Sequence, residues 1–498
     1  MLYADFWEYD FLSQKLYKLP FYLFFMDLDI AEFALNHALK LGAKYADARL
    51  ETTATNEFIL KNGVPHMAGF ERVQGLGVRV NASGCFGFAS TNELEKEKIR
   101  QMVEKAMKIT SAACRIGEPA DMSEEPVETA DYVVKQRINF EDLSPKDKLN
   151  VLFEVEKAIA STKVDVPGRF FSMADFYTEK YFINSEGTKI LSKIPRYDFW
   201  YFITINDKGK TAQRYWQYGG AGGFENLTAH NFPEILKNEV MKTDEALRKG
   251  ITPPKEKIDV VVGPQVTGIM VHESVGHPYE ADRVMGREAA QAGETFIKQD
   301  MLKTKIGSYA VNVFDDPTLE ESFGYYLYDD DGVKARKRHL IKNGAINEFL
   351  HNRNTAAAMG TKSNGASRAS SFNREAVVRM ANTYVAPGEQ SEEELIEGVK
   401  HGIFMKNFME WNIDDKRLNA KYTGAESYII NNGKLGDYVL APVIEISTPA
   451  LWSSVDATAK NMEYHSGTCG KAEPMQAIPV WFGGPSMRIR NISLSNKK

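Results

Sequence analysis

The chain has 498 residues, a formal net charge of −6, 43% hydrophobic residues and 26% charged residues. That is enough for more than one domain and a sizeable core, and the composition is that of an ordinary soluble globular protein. The mild negative balance gives no reason to expect nucleic-acid or acidic-membrane binding. Three cysteines, Cys85, Cys114 and Cys469, are far apart and odd in number; they do not read as a disulfide framework, which fits a reducing cytoplasm.

Residues 1–25 are aromatic-rich and mildly apolar, but Asp5, Glu8 and Asp10 precede the apolar part and no small-residue cleavage site follows it. This is not a signal peptide, and the apolar run is too short to cross a membrane. Residues 26–125 are expected to form an α+β domain. Asp27 or Asp29 caps a helix with Ile30, Ala34, Ala38 and Leu41 on one face, ended by Gly42. Ala46, Ala48 and Leu50 alternate with charged residues as in a half-buried strand, and Leu76, Val78 and Val80 mark another. Gly75 and Gly77 lie inside that strand pattern rather than opening a helix, so they are not a nucleotide loop. A charged helix is predicted over 93–109.

Residues 126–250 read as a helix opened at Ser144–Pro145, then a strand meander with turns at 184–187 and 206–209. Residues 219–223 read as a glycine-rich loop beside Tyr215, Trp216 and Tyr218, which either pack in the core or meet a substrate. Ile251, Thr252, Pro253 and Pro254 form a hinge into a mixed domain over 251–498. In that domain Ser391 and Glu394 form a capping box for a helix through His401, and 329–332, 343–344 and 432–433 turn strands. The whole is a strand-rich, multidomain α+β chain.

The most informative stretch is 271–282, VHESVGHPYEAD. A strand over 258–262 is broken by Gly263, and Pro264 can open a helix. His272, Glu273 and His277 then form an HExxxH pattern on that helix. Histidines at i and i+5 lie about 140° apart on a regular helix, against about 40° for i and i+4. A π-bulge would return both to one face, and such bulges concentrate at functional sites. Gly276 tolerates a distorted backbone, and Pro278 withholds the next helical hydrogen bond. Neutral imidazoles suit Zn²⁺, whose catalytic sites keep three protein ligands and an open position. Glu273 stands where a proton-transfer base is needed. Cys469, between glycines in GTCGK, is the best candidate for a third ligand, with His465 as competitor; His339 and His351 are weaker. Glu280 and Asp282 either orient a ligand imidazole or cap and solvate the helix.

HESVGH with Glu280 and Asp282, together with GTCGK, DDDGVKARKRHLIKNG, TKSNGASR, RMANTYV and ESYIINNGKLGDYV, resembles the TldD/PmbA family of metallopeptidases, on its metal-bearing TldD side. The resemblance starts at about Met26, which makes residues 1–25 an extension or a non-native start. It implies zinc held by His272, His277 and Cys469, and Glu273 as the base. It sets the 362–368 loop near the site, with Asn364 and Arg368 as substrate-binding candidates. It also implies a dimer, either of this chain or with a PmbA/TldE-like subunit. The strand-rich architecture suggests that peptide binds by strand addition, which predicts short or unfolded peptides as substrates. WNIDDKRLNAKY over 411–422 and Pro278 depart from the family's glycine pattern. Two other classes fit the motif: a hydrolase of a non-peptide amide, and a binding subunit with a structural metal.

Overall fold

The computed structural model describes residues 26–496 apart from 83, 117–119 and 289–292; the expected extension over 1–25 lies outside them. Long β-branched and aromatic runs build one seven-stranded sheet from β1 (Tyr45–Lys61), β2 (Val64–Ala82), β3 (Cys85–Thr91), β4 (Thr129–Val133), β5 (Gly168–Asn184), β6 (Lys189–Asp207) and β7 (Lys210–Ala221). Its order is β3-β2-β1-β5-β6-β4, with β7 also paired to β6. The sheet therefore runs through both the first and the middle segments of the sequence.

Two helices cover one end of it, α1 (Asp29–Lys40) and α2 (Lys96–Ile116). Ala31, Ala34 and Ala38 of α1 and Ile99, Val103 and Ala106 of α2 meet Leu50, Leu76, Val78 and Val80 in one apolar cluster. Helix α2 starts later and runs longer than the predicted 93–109. The reading of no disulfide framework is corrected in part, because Cys85 at the start of β3 and Cys114 near the end of α2 are joined by a disulfide. Packing of α2 along β3 brings together two residues that lie 29 apart in sequence.

Helix α3 (Pro145–Ser161) begins as its sequence dictates: Ser144 accepts from Asp147 N–H and Asp147 reciprocates. Leu152, Val155 and Ile159 of α3 and Leu236 and Val240 of α4 (Phe232–Lys249) face Phe171, Phe199 and Ile203 of the sheet. Residues 219–221, expected in a loop, instead end β7, and Trp216 is a core residue packed on Phe408, His465 and Phe482.

The rest of the chain forms smaller sheets. One six-stranded sheet holds β8 (Ile258–Val262) between His401–Met405 (parallel) and Met487–Ile492 (antiparallel). A second ends in the hairpin β9 (Glu463–Lys471) and β10 (Gln476–Gly484), with β9 at its edge. The capping box at Ser391 and Glu394 is present, but its helix stops at Glu397 and His401 opens a strand.

Buried ion pairs fasten the large sheet to the turn at 329–332. Arg79 of β2 donates to Asp47 at 2.6 Å and to Asp331 at 2.7 Å. Lys180 of β5 reaches Asp330 at 2.5 Å. Removing one member of such a pair leaves an uncompensated buried charge, at a cost of about 3–5 kcal/mol.

Candidate metal centre

Strand β8 is almost wholly buried, and Gly263 turns it into α5 (Pro264–Val271), with Pro264 in the first turn. The helix runs under β10 so closely that a Cβ on Gly268 would sit 2.8 Å from the Phe482 ring. At His272 the helix widens into a π-turn, His272–Gly276, in which His277 N–H donates to His272 C=O. A 3-10 turn, His277–Tyr279, follows with Pro278 in it. The extra residue is thus absorbed as the i, i+5 spacing requires, and the two imidazoles face each other at 5.0 Å between centroids, inclined at 80°.

The expectation about Gly276 needs correcting. Its φ of −52° is ordinary helical backbone. Glycine is required there for space: a Cβ would lie 1.9 Å from Met380 Sδ. The turn is also pinned through Ser274, whose Oγ donates to Met270 C=O at 2.6 Å and accepts from Trp452 Nε1 at 3.0 Å.

Hairpin β9–β10 delivers the third group. One ligating atom each from His272, His277 and Cys469 lies within 4.8 Å of the others, and all three residues are buried. His277 Nε2 is 3.3 Å from Cys469 Sγ, while its Nδ1 is 3.2 Å from Glu280 Oε2. A carboxylate on one ring nitrogen fixes the tautomer and leaves the other nitrogen's lone pair free. His272 Nδ1 is buried with no hydrogen-bond partner among the described residues. Two imidazoles, one with an orphaned ring nitrogen, and a thiol form a donor set that fits a soft divalent ion such as Zn²⁺.

The electrostatics agree with that fit. Burial pushes the Cys469 thiol up, but His277 and Arg379 outweigh it and bring the thiol down to about 7. Burial lowers His272, keeping it neutral. Glu280 is pushed up by burial, yet Lys471, His277 and Arg283 hold it well below the usual carboxylate range.

Glu280 is thus the carboxylate on a trio imidazole, also gripped by Arg283 Nε at 2.7 Å. Asp282 touches neither imidazole: it accepts from Lys471 Nζ at 2.7 and 2.8 Å. Lys471 is two residues beyond Cys469 and lies 3.2 Å from Glu280, so it ties the hairpin to the helix side of the site.

Glu273 lies beside His272 and accepts from Arg417 Nη1. Burial raises its carboxyl, but His277, Arg417 and His272 together take it below its ordinary value. Arg417 was not singled out in the sequence. It belongs to the 411–422 stretch that departs from the glycine pattern and adopts a φ of +60° in the turn between Phe408–Ile413 and Asn419–Gly424.

The other candidates sit elsewhere. His465 is four residues before Cys469 in β9, about 13 Å away along a strand, and packs on Trp216. His339 stacks on Phe314, and His351 bonds Thr355. Asn364 spends its amide on Phe349 C=O at 2.7 Å and on His351 N–H at 2.8 Å. Arg368 donates to Met380 C=O at 2.7 Å and to Pro479 C=O at 2.9 Å, which braces the back of the hairpin.

Comparison with known proteins finds matches along nearly the whole chain. Residues 46–110, 138–250 and 255–496 match the models described as PmbA/TldA metallopeptidase domain 1, central domain and C-terminal domain. The chain is 30% identical over 451 residues to a metalloprotease of Methanocaldococcus jannaschii, covering 89% of this chain and 95% of that one. It is 22% identical to a zinc metalloprotease TldD homolog of Saccharolobus solfataricus, covering 92% and 98% of the two chains. The crystal structure of TldE from Thermococcus kodakarensis has the same fold, with a TM-score of 0.73 at 17% identity over 94% of this chain and 100% of that one. A chain matched along nearly its whole length, with the HExxxH turn and the GTCGK hairpin brought face to face, belongs to the PmbA/TldD family of metallopeptidases.

Proposed function

We propose that this chain is a zinc-dependent peptidase of the TldD type acting on short or unfolded peptides. The observation that carries the reading is the convergence of His272, His277 and Cys469 within 4.8 Å, with Glu273 alongside. Those three residues would hold the ion, and zinc bound there supplies a water with a pKa near 7 and polarises a carbonyl. The zinc metalloprotease name of the Saccharolobus relative supports the choice of ion.

The chain's own residues then divide the work. Glu273 takes the proton of the attacking water and returns it to the leaving amine. Arg417 sets the position and acidity of Glu273. Glu280 orients His277, and Lys471 fixes the hairpin that carries Cys469. Strand β9 is the edge of its sheet, so an extended peptide can add alongside it through backbone hydrogen bonds with weak side-chain selectivity. A folded substrate has no free strand to offer. We further propose that the chain works as a dimer, either with itself or with a PmbA/TldE-like subunit, as the shared fold with TldE supports. Its charge favours neither nucleic acid nor membrane as a partner, and among the described residues no helix is long and apolar enough to cross a membrane.

The test is mass spectrometry of an unfolded-peptide mixture incubated with the protein and with Glu273→Gln, alongside metal analysis of both and of Cys469→Ser. New termini from the unaltered chain alone, with zinc retained in Glu273→Gln and lost from Cys469→Ser, are expected. Equal cleavage by Glu273→Gln would refute the assigned base, and full zinc in Cys469→Ser would remove the thiolate from the site.

A further inference from the structure

Behind the β9–β10 hairpin, a cavity of about 310 Å³ lies between the large sheet and the 329–332 and 367–370 segments. Thr468 borders it. Thr468 precedes Cys469 in β9, and side chains alternate across a strand, so the cavity and the trio lie on opposite faces of that strand. The volume is at the lower end of small-ligand pockets.

Two buried guanidiniums reach this cavity, Arg196 of β6 and Arg368, 8% and 7% exposed. Neither has a carboxylate partner within ion-pair distance among the described residues. Arg196 donates to Phe323 C=O at 3.0 Å and Tyr325 C=O at 2.9 Å, and Arg368 only to Met380 and Pro479 carbonyls. Burial, and then the charge of Arg368, pulls Arg196 down to about 10; the two cations raise each other's cost. Buried charges are normally paired.

The acids around the cavity do not supply the missing partner. Asp330 is engaged by Lys180. Asp198 accepts from Gln217 at 2.9 Å, and burial raises it to about 7. Asp329 accepts from the N–H groups of Asp331, Val333 and Ser367. That leaves Glu51, which burial raises and on which Lys180, Arg49 and Arg196 act electrostatically. One carboxylate is thus set against two otherwise unmatched guanidiniums. Apolar walls come from Phe176, Phe323 and Tyr326, with Arg368 Cζ 5.2 Å from the Tyr326 centroid.

We propose that this cavity is a binding site for a small carboxylate, held by Arg196 and Arg368. Paired guanidiniums match the planar carboxylate, and the aromatic wall suits an aliphatic or amino-acid-sized body. The carboxylate comes either from a free small acid or from the C-terminus of a short peptide. The site stands apart from the proposed zinc chemistry, since binding is read without turnover and in Glu273→Gln equally.

The experiment is calorimetric titration of the full-length Glu273→Gln protein at fixed ionic strength. The probes are acetate, N-acetyl-leucine, N-acetyl-leucinamide, N-acetyl-leucyl-leucine and inorganic phosphate. Saturable binding of a carboxylate, at least about tenfold tighter than the matched carboxamide, is expected. Binding of acetate and N-acetyl-leucine identifies a free acid as the source, and binding of the dipeptide alone identifies a peptide terminus. Arg196→Met should weaken it about tenfold or more and Arg196→Lys should restore part of it. Arg368→Met should weaken it similarly; if that variant fails to fold, Arg368→Lys, with a severalfold loss, serves as the second variant. Equal binding of carboxylate and carboxamide, binding of phosphate in preference to every carboxylate, no binding of any probe, or unchanged affinity in Arg196→Met would each overturn the proposal.

Discussion

Adding one methyl group at Gly276 tests the geometry on which the trio depends. In Gly276→Ala the new Cβ would lie 1.9 Å from Met380 Sδ, about half of an ordinary carbon contact of roughly 4 Å. Met380 is 1% exposed and belongs to the main core cluster, so it has nowhere to swing. Overpacking of this kind costs about 1–3 kcal/mol, and a misfit of some 2 Å belongs at the upper end. Much of that strain falls on the π-turn, which separates His272 from His277. If zinc selects the undistorted turn, the same energy appears as weaker metal binding, by about a hundredfold for 3 kcal/mol. Competition with a chromophoric chelator measures this, and urea denaturation of the metal-free protein measures the part borne by the fold. Trimming the obstacle should relieve the strain, so the double variant with Met380→Ala should show a favourable coupling of at least about 1 kcal/mol. Zinc affinity within threefold of the unaltered chain, or a double variant no better than the product of the singles, would refute this account of Gly276.

Three further outcomes follow from the surrounding groups. Glu280→Gln removes the carboxylate on His277 Nδ1 and should weaken zinc about 10–100-fold, read by the same chelator competition. Arg417→Gln removes a positive charge from Glu273; the carboxyl's pKa then rises, and the acid limb of the pH–rate profile should move to higher pH with zinc content unchanged. Asp198 has its folded pKa raised to about 7 by burial, so its contribution to stability is full below its unfolded pKa of about 3.9 and is lost as pH rises through about 7. Asp198→Asn should therefore stabilise the protein at pH 8–9 relative to pH 5, by about 2 kcal/mol once partial solvent access is allowed for, in urea melts at the two pH values.

The parts of the centre set by neighbours in sequence were legible before the structure. The i, i+5 histidine spacing demanded an extra helical residue, and the π-turn supplies it. Ser144–Pro145 and Ser391–Glu394 announced their helix starts because caps are built from residues three apart. What escaped was fixed by contacts across the fold. Arg417 meets Glu273 from 144 residues away, and nothing in WNIDDKRLNAKY signals a partner. Gly276 was credited with a backbone role because its true constraint, Met380, is 104 residues further along the chain. Asp282 and Glu280 are indistinguishable in sequence; in the fold Glu280 reaches His277 Nδ1, while Asp282 is taken up by Lys471 from the hairpin. The end of β7 was mistaken for a loop because Gly219 and Gly220 carry a turn's composition while pairing as a strand.

The trio joins a helix turn to a hairpin 192 residues later. During synthesis from the N-terminus, the large sheet can form while Cys469 has not yet been made. On the proposed reading, the growing chain cannot assemble its hydrolytic centre until almost all of it exists. A nascent peptidase surrounded by its own unfolded segments, the substrate class proposed for it, is thereby kept inactive by the order of its own translation.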